Sequence, residues 1–412
     1  MRKYLDSAWA PGTDLGLRHL GIDLGSTALR VGYVQVGTTR FELLFNPNQS
    51  NKVDKSQYKM GSFGSYVNVS GKGPAFTGDD VPAARQVPAK VILSKGKGID
   101  GDNPLLAVVR EKQEDDDFEK LCQAGLDGVF GAVASVLKVK QKGEDLELVR
   151  IGLTVPAHWT LDEEALYAAL IRRTFPRSSW NNHLKNIEIM TEVEAFAHFF
   201  FIDKARVDEF LGKDKQCFVL FLDFGGHSMN GCLFYVRRAK DKFVFMRVQK
   251  PFGAVGGSAQ WEAAVGNFCT DSALSGGTFS PQVSPEVRNL FYRKFREEIR
   301  TREWDRFQDF ELRITPPRVE GQAGNSADIW TVISAQQSYQ FFHDAMEGPL
   351  TLAELETKKL AEMMGHCPNV RAKVMVSGGT SNNGPVQGKL KNLCESVGLP
   401  PPVFALNLGR EE

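Results

Sequence analysis

An excess of charge of either sign is missing from this chain. Lys and Arg together number 50, and so do Asp and Glu. A nucleic-acid footprint would need a basic surplus, and none is present. The densest basic stretch, "VRRAKDKF", lies between two apolar runs and reads as a solvated hairpin turn. Cysteine pairs at metal spacing are missing too. The six cysteines, at 122, 217, 232, 269, 367 and 394, include no C-x-x-C, so neither a zinc site nor a disulfide framework is signalled. Buried free thiols in a reducing compartment are the expectation. No run of about twenty apolar residues occurs, and so no membrane span is expected. The N-terminal "MRKYLDSAWAPG" has a basic start without an apolar h-region, which argues against a signal peptide. A cytoplasmic or nuclear protein, bound to neither membrane nor nucleic acid, is therefore expected.

What the chain does have is length and apolar content. Its 412 residues are 42% hydrophobic, enough for about two to three domains. Three short strands read from the start: "LRHLGIDLG", "ALRVGYVQV" and "RFELLF". Residues 46–85 are rich in Asn, Ser, Gly and Lys, and read as a long loop or excursion. A helix is predicted from about Asp117 to Val139. Phe118, Cys122, Leu126, Val129, Val133 and Val136 recur there at spacings of three and four, forming one apolar face. The acidic "EDDD" before it suits a metal, or simply complements a helix N-terminus. "ELVRIGLTV" is a buried strand. Thr160 and Glu163 form a capping box opening the next helix. The strand "NIEIMT" then leads into the helix "EVEAFAHFFFI".

At Cys217 the opening pattern returns. "CFVLFLDFGGHSMNGCLFYV" is again a strand ending on Asp, a Gly turn and a second strand, followed by a third strand, "KFVFMRVQ". This reads as an internal duplication, each half an α/β lobe of its own. A charged helix, "EVRNLFYRKFREEIRTREW", follows later. The strand "KVMVSGG", the helix "GPVQGKLKNLCESVG" and an extended "PVFALNL" finish the chain.

A carboxylate at a strand end, beside a Gly-rich turn bearing hydroxyls, suits a phosphate-bound magnesium. Glycines let backbone approach phosphate oxygens, and successive N–H groups form an anion nest. Ser26, Thr27 and Ser228 can donate to the same oxygens. Asp23 and Asp223 are hard oxygen ligands, suited to magnesium directly or through water. A single turn of this kind is also what a plain hairpin looks like. Two copies could grip one polyphosphate from both sides of a cleft.

"GIDLGSTALRVGYV" and "LDFGGHSMNG" resemble the two phosphate motifs of the actin, hexokinase and seventy-kilodalton heat-shock-protein superfamily. The likeness is greatest to the heat-shock chaperones' ATPase domain. "LTVPAHWTLDEEALYAAL", "IEIMTEVEAFAHFF", "GAVGGSAQWEAAV" and "KVMVSGGTSNNGPVQGKL" resemble four further segments of that domain, in the same order, over about residues 20–390. The resemblance implies a two-lobed actin-like ATPase fold of duplicated ribonuclease-H-like lobes, with the nucleotide cleft between them. Lobe I would span 16–205 and lobe II 206–412. It implies ATP/ADP and magnesium as ligands, with Asp23 and Asp223 holding the metal through water. Gly25, Ser26 and Thr27 match the first phosphate loop; Gly225, Gly226 and Ser228 match the second. Glu192 matches a connecting Glu that positions water or metal. Lys90 is the candidate catalytic lysine, with Lys95 and Lys97 as rivals and a solvated face as the plain alternative for all three. Gly256, Gly257 and Ser258 match a ribose-side segment. Gly378, Gly379 and Thr380 match the adenosine motif. Glu298 and Arg302 either flank the base or form a structural ion pair. The implied activity is slow, magnesium-dependent hydrolysis of ATP that drives lobe closure, with co-chaperones or other proteins as partners.

The chain also departs from that family. His227 stands where the family has a glycine, and either contacts the phosphates or points to solvent. Asn230 replaces an acid, removing one charge near the metal shell. About 30 residues follow Gly379, too few for a peptide-binding domain, and lobe II is expected to lack the family's closing helix. These departures keep a second reading open: a non-hydrolysing nucleotide-binding or scaffold module. A small-molecule kinase is a third, though it needs a carboxylate base for a substrate hydroxyl and no sugar-kinase signature is present.

Overall fold

The computed structural model describes residues 17–25, 29–35, 41–43, 62–63, 66–67, 87–93, 118–140, 147–174, 187–202, 204–212, 214–239, 242–277, 284–301, 307–315, 328–367 and 369–405. The chain is of mixed α/β class. Its described residues fall into two compact units, one drawn from 1–97, 104–155 and 159–190, the other from 156–158 and 191–412.

The first unit is built on β1 (Leu17–Leu24), β2 (Leu29–Gln35), β3 (Phe41–Leu43), β4 (Ser62–Phe63), β7 (Glu147–Val155) and β8 (Ile187–Thr191), in the order β3-β2-β1-β7-β8 with β4 on β2. β1 runs antiparallel to β2 and parallel to β7. Leu20, Ile22 and Leu24 alternate into the core, and Ile151, Leu153 and Val155 do the same on β7, as strands with a buried face require. β5 (Tyr66–Val67) and β6 (Val87–Pro88) pair apart from this sheet. The short helix α1 (Ala89–Leu93) follows β6, and α2 (Phe118–Lys140) matches the predicted amphipathic helix. Cys122, Leu126, Val129 and Val133 of its stripe are buried. α3 (Leu161–Thr174) opens with the predicted capping box: Thr160 N–H donates to Glu163 Oε2 at 2.7 Å and Glu163 N–H to Thr160 Oγ1 at 3.3 Å. Of the 46–85 excursion, only the two-residue strands β4 and β5 are described.

The second unit repeats the plan. Its sheet has β9 (Gln216–Phe224), β10 (Ser228–Ala239), β11 (Lys242–Arg247), β12 (Phe252–Val255), β15 (Arg371–Ser377) and β16 (Val403–Phe404), ordered β11-β10-β9-β15-β16 with β12 on β10. Here β9 is antiparallel to β10 and parallel to β15. Both faces are covered, which is why "CFVLFLDF" is continuously apolar. Cys217, Val219 and Phe221 face one cluster with Val193, Phe200 and Phe201 of α4 (Glu192–Ile202) and Phe210 of α5 (Lys204–Leu211). Leu220, Leu222 and Phe224 face the other cluster. That second layer holds α6 (Ser258–Ser275), α7 (Ser284–Thr301), the hairpin β13 (Phe310–Ile314) and β14 (Ile329–Ile333), the long α8 (Ala335–His366) and α9 (Gly384–Ser396). Buried Trp261 of α6 meets Phe295 and Phe342 edge-on, each with ring centroids 5.2 Å away. The expected lobe boundary at 205/206 leaves α4 in the first half, whereas α4 packs on the second unit's sheet. No helix among the described residues is long and apolar enough to cross a membrane.

Candidate functional site

The duplication extends to the carboxylates. Asp23 ends β1, with Arg30 opposite it on β2 and Thr154 opposite on β7. Asp223 ends β9, with Asn230 opposite on β10 and Ser377 opposite on β15. In both units the parallel neighbour supplies a hydroxyl. Thr154 Oγ1 donates to Asp23 Oδ1 at 2.9 Å, and Ser377 Oγ donates to Asp223 Oδ1 at 2.6 Å. A hydroxyl donor fixes the rotamer of the carboxylate that accepts from it. The two units differ at the antiparallel neighbour. Arg30 Nη1 reaches Asp23 Oδ2 at 3.3 Å in a solvent-exposed pair, the kind worth little in water. Asn230 is instead fully buried.

Around Asp223, three segments distant in the chain meet. Gly225 N–H donates to Ser228 O at 2.9 Å and closes the turn between β9 and β10. Thr380 Oγ1 donates to Gly225 O at 2.7 Å and accepts from Ser258 N–H at 3.3 Å. Ala259 N–H donates to Gly226 O, and Gly256 N–H to His227 O. Thus Gly225, Gly226 and Ser228, then Gly256, Gly257 and Ser258, then Gly378, Gly379 and Thr380 form one constellation. Backbone packing demands at least three of these glycines: a Cβ on Gly256, which has φ 133, would stand 2.7 Å from the carbonyl oxygen of Ala345. A Cβ on Gly257 would stand 2.5 Å from the carbonyl oxygens of Gly225 and Gly226. Gly378 has φ 91, and its Cβ would overlap the Phe224 backbone, so only glycine fits there. Gly379, by contrast, has no described residue within 4 Å of where its Cβ would be. Asn383, the N-cap of α9, is buried, and its Oδ1 accepts no hydrogen bond among the described residues.

Two glutamates open α4, and they are used differently. Glu194 caps the helix through Thr191 and pairs with Arg247. Glu192 Oε2 accepts from Asn230 Nδ2 at 3.1 Å, while Asn230 Oδ1 accepts from Ala157 N–H at 2.7 Å. Asn230, read from the sequence as a lost charge, thus joins Ala157 to Glu192. Thr154 and Ser377 were also missed; their one sequence signal is a hydroxyl residue at the very end of a buried strand.

Lys90 lies in α1 and is 8% exposed, so the solvated-face alternative fails for it. α1 packs on α2 across an apolar crevice lined by Val67, Ile92, Leu93, Cys122 and Leu126. Gly25, two residues after Asp23, is half-buried. Ser26, Thr27, Lys95, Lys97, Arg302 and residues 406–412 lie outside the described residues. Glu298 stands 4.0 Å from Lys294 on the same helix; its expected partner Arg302 is among the residues just named. Among the described residues, no three His, Cys, Asp or Glu side chains gather as a metal cage.

Compared with protein-family models and with curated proteins, the chain matches none.

Proposed function

We propose that the two units are lobes of an actin-like ATPase fold, and that the chain binds MgATP and hydrolyses it slowly. The observation carrying this reading is the meeting at one turn of the segments at 223–228, 256–258 and 377–380. Their order in the chain and their roles in the resembled family agree with that convergence. The open face of Gly379 suits a flat purine lying on backbone. The buried Asn383 Oδ1 needs a donor, which an aminopurine carries.

In this reading the protein mostly positions groups and stabilises charge. Magnesium, when bound, supplies charge neutralisation across the phosphates. In the second unit Asp223, held by Ser377, would orient a metal-bound water; in the first unit Asp23, held by Thr154, is the candidate for the same role. Glu192 would orient the attacking water, and Lys90 of the first unit is the candidate for neutralising charge near the γ-phosphate.

The test is MgATP titration by calorimetry on the purified chain and on Asp223→Ala, followed by phosphate release. Binding and turnover that both vanish in the variant support the reading. No binding at millimolar MgATP, in a chain with a cooperative melt, would sink it. One observation favours the second reading, a non-hydrolysing module: Arg30 stands on Asp23, on the unit where the first phosphate loop is expected. Binding that needs Asp223, without phosphate release, would establish it.

A further inference from the structure

The geometry assigns Asn230 as a positioning residue that acts through Glu192, an inference that rests on the ATPase reading above. Asn230 has no exposed surface and sits opposite Asp223 on β10. Its two hydrogen bonds fix which way the amide points. The Ala157 main-chain N–H can only donate, so the atom 2.7 Å from it must be the amide oxygen. The NH₂ group is then the one 3.1 Å from Glu192 Oε2, which must accept. An unfavourable flip would set N–H against N–H at Ala157 and oxygen against oxygen at Glu192. The amide therefore holds the Glu192 carboxylate with one oxygen pinned as an acceptor. It ties that carboxylate to the 156–158 segment, 73 residues away from Asn230, and to the strand paired with β9.

The isosteric alternatives cannot do this. Aspartate keeps the acceptor for Ala157 but has no donor for Glu192, and sets two carboxylates in contact. Leucine loses both bonds and strands a buried N–H. Asparagine here is a neutral strut for a carboxylate, in place of an additional charge at the metal. The two views predict opposite signs for one substitution. If the site simply lacks a charge, Asn230→Asp raises turnover. If Asn230 positions Glu192, Asn230→Asp lowers it.

The experiment measures phosphate release from MgATP, with thermal melts, for the wild-type chain, Asp223→Ala, Asn230→Asp, Glu192→Gln and the double variant Asn230→Asp/Glu192→Gln. The expected result for Asn230→Asp is a kcat at least about tenfold lower, as for other outer-layer hydrogen-bond partners, with KM within about threefold. Its melting temperature falls, and the double variant recovers it, because the Gln amide can donate where the Asn amide did. The double variant does not recover kcat, since the carboxylate at 192 is gone. That split between stability and turnover separates positioning from packing. Asn230→Asp turning over as fast as wild type, or faster, overturns the assignment while leaving the ATPase reading intact. Should Asn230→Asp fail to fold, a folded double variant upholds the donor–acceptor pair, and an unfolded one overturns it. Wild-type phosphate release no greater than that of Asp223→Ala sinks the ATPase reading, and this assignment with it.

Discussion

Gly378 and Gly379 are adjacent, yet they are glycine for different reasons. Gly378 has φ 91, and its backbone lies against that of Phe224. A methyl group there must push β15 away from β9 or force a left-handed alanine. Gly378→Ala is therefore expected to cost at least about 2 kcal/mol of stability, read from the urea midpoint of the purified chain. Among the described residues, nothing lies within 4 Å of the Cβ that Gly379 lacks. Gly379→Ala should leave the midpoint unchanged. If a purine lies on that backbone, the same methyl intrudes on it, and MgATP affinity should fall by about tenfold or more, a loss of about 1.4 kcal/mol. Unchanged affinity in Gly379→Ala would remove the purine from this position whatever the rest of the site binds. The pair thus separates a glycine kept for the fold from one kept for a ligand.

At the scale of elements, stability depends on how helix ends are closed, and α8 is the case to test. It is 32 residues long, with Pro349 inside it. The proline has no N–H to donate back along the helix. The start is secured by a full capping box. Gln337 N–H donates to Ser334 Oγ at 3.2 Å, and Ser334 N–H donates to Gln337 Oε1 at 3.0 Å. Ser334→Ala is expected to cost about 1 kcal/mol, seen as a lower midpoint, with Ser334→Asp recovering most of it. An unchanged midpoint in Ser334→Ala would mean that the first turn is held by packing alone. This helix was not legible in the sequence. "MEGPL" interrupts the apolar period where Gly348 comes close to the carbonyl of Val255, and the Ser-x-x-Gln signal went unread. Thr160 and Glu163 carry the same signal and were read, because a clean apolar run follows them. The paired strands around Asp23 and Asp223 were legible for a related reason: β1–β2 and β9–β10 are local hairpins whose alternation is written in consecutive residues. The links Asn230–Glu192 and Asn230–Ala157 join residues 38 and 73 apart. No local pattern encodes them, and so the residue that ties two motifs together looked like a mere substitution. The burial of Lys90 was not legible either, since a charge says nothing by itself about what packs over it.

The two units share a strand order and a carboxylate at the same strand end, but their thiols are unequally distributed. Cys217, Cys232, Cys269 and Cys394 are all buried in the second unit. Burial pushes the thiols of Cys217, Cys232 and Cys269 up to about 12, and that of Cys394 to about 11. For Cys217 the charge of Lys373 opposes the rise, and for Cys232 that of Arg247 does, without cancelling it. Unfolded thiols ionise near 9. Above that pH the unfolded chain releases protons that the folded chain still holds. Each such thiol therefore contributes stability that is fully present below about pH 9 and is lost as the pH climbs towards 11 or 12. The second unit should accordingly lose stability steeply through this window. Tyrosines and lysines also titrate there, so the comparison that isolates the thiols is with Cys232→Ala and Cys269→Ala. The expected outcome is a urea midpoint that falls less between pH 9 and 11 in each variant than in the wild type. Both variants will start lower at pH 8, because each leaves a small cavity. Parallel lines for variant and wild type would mean that these thiols ionise in the folded unit as they do in water, and that the second unit opens to solvent well before it unfolds.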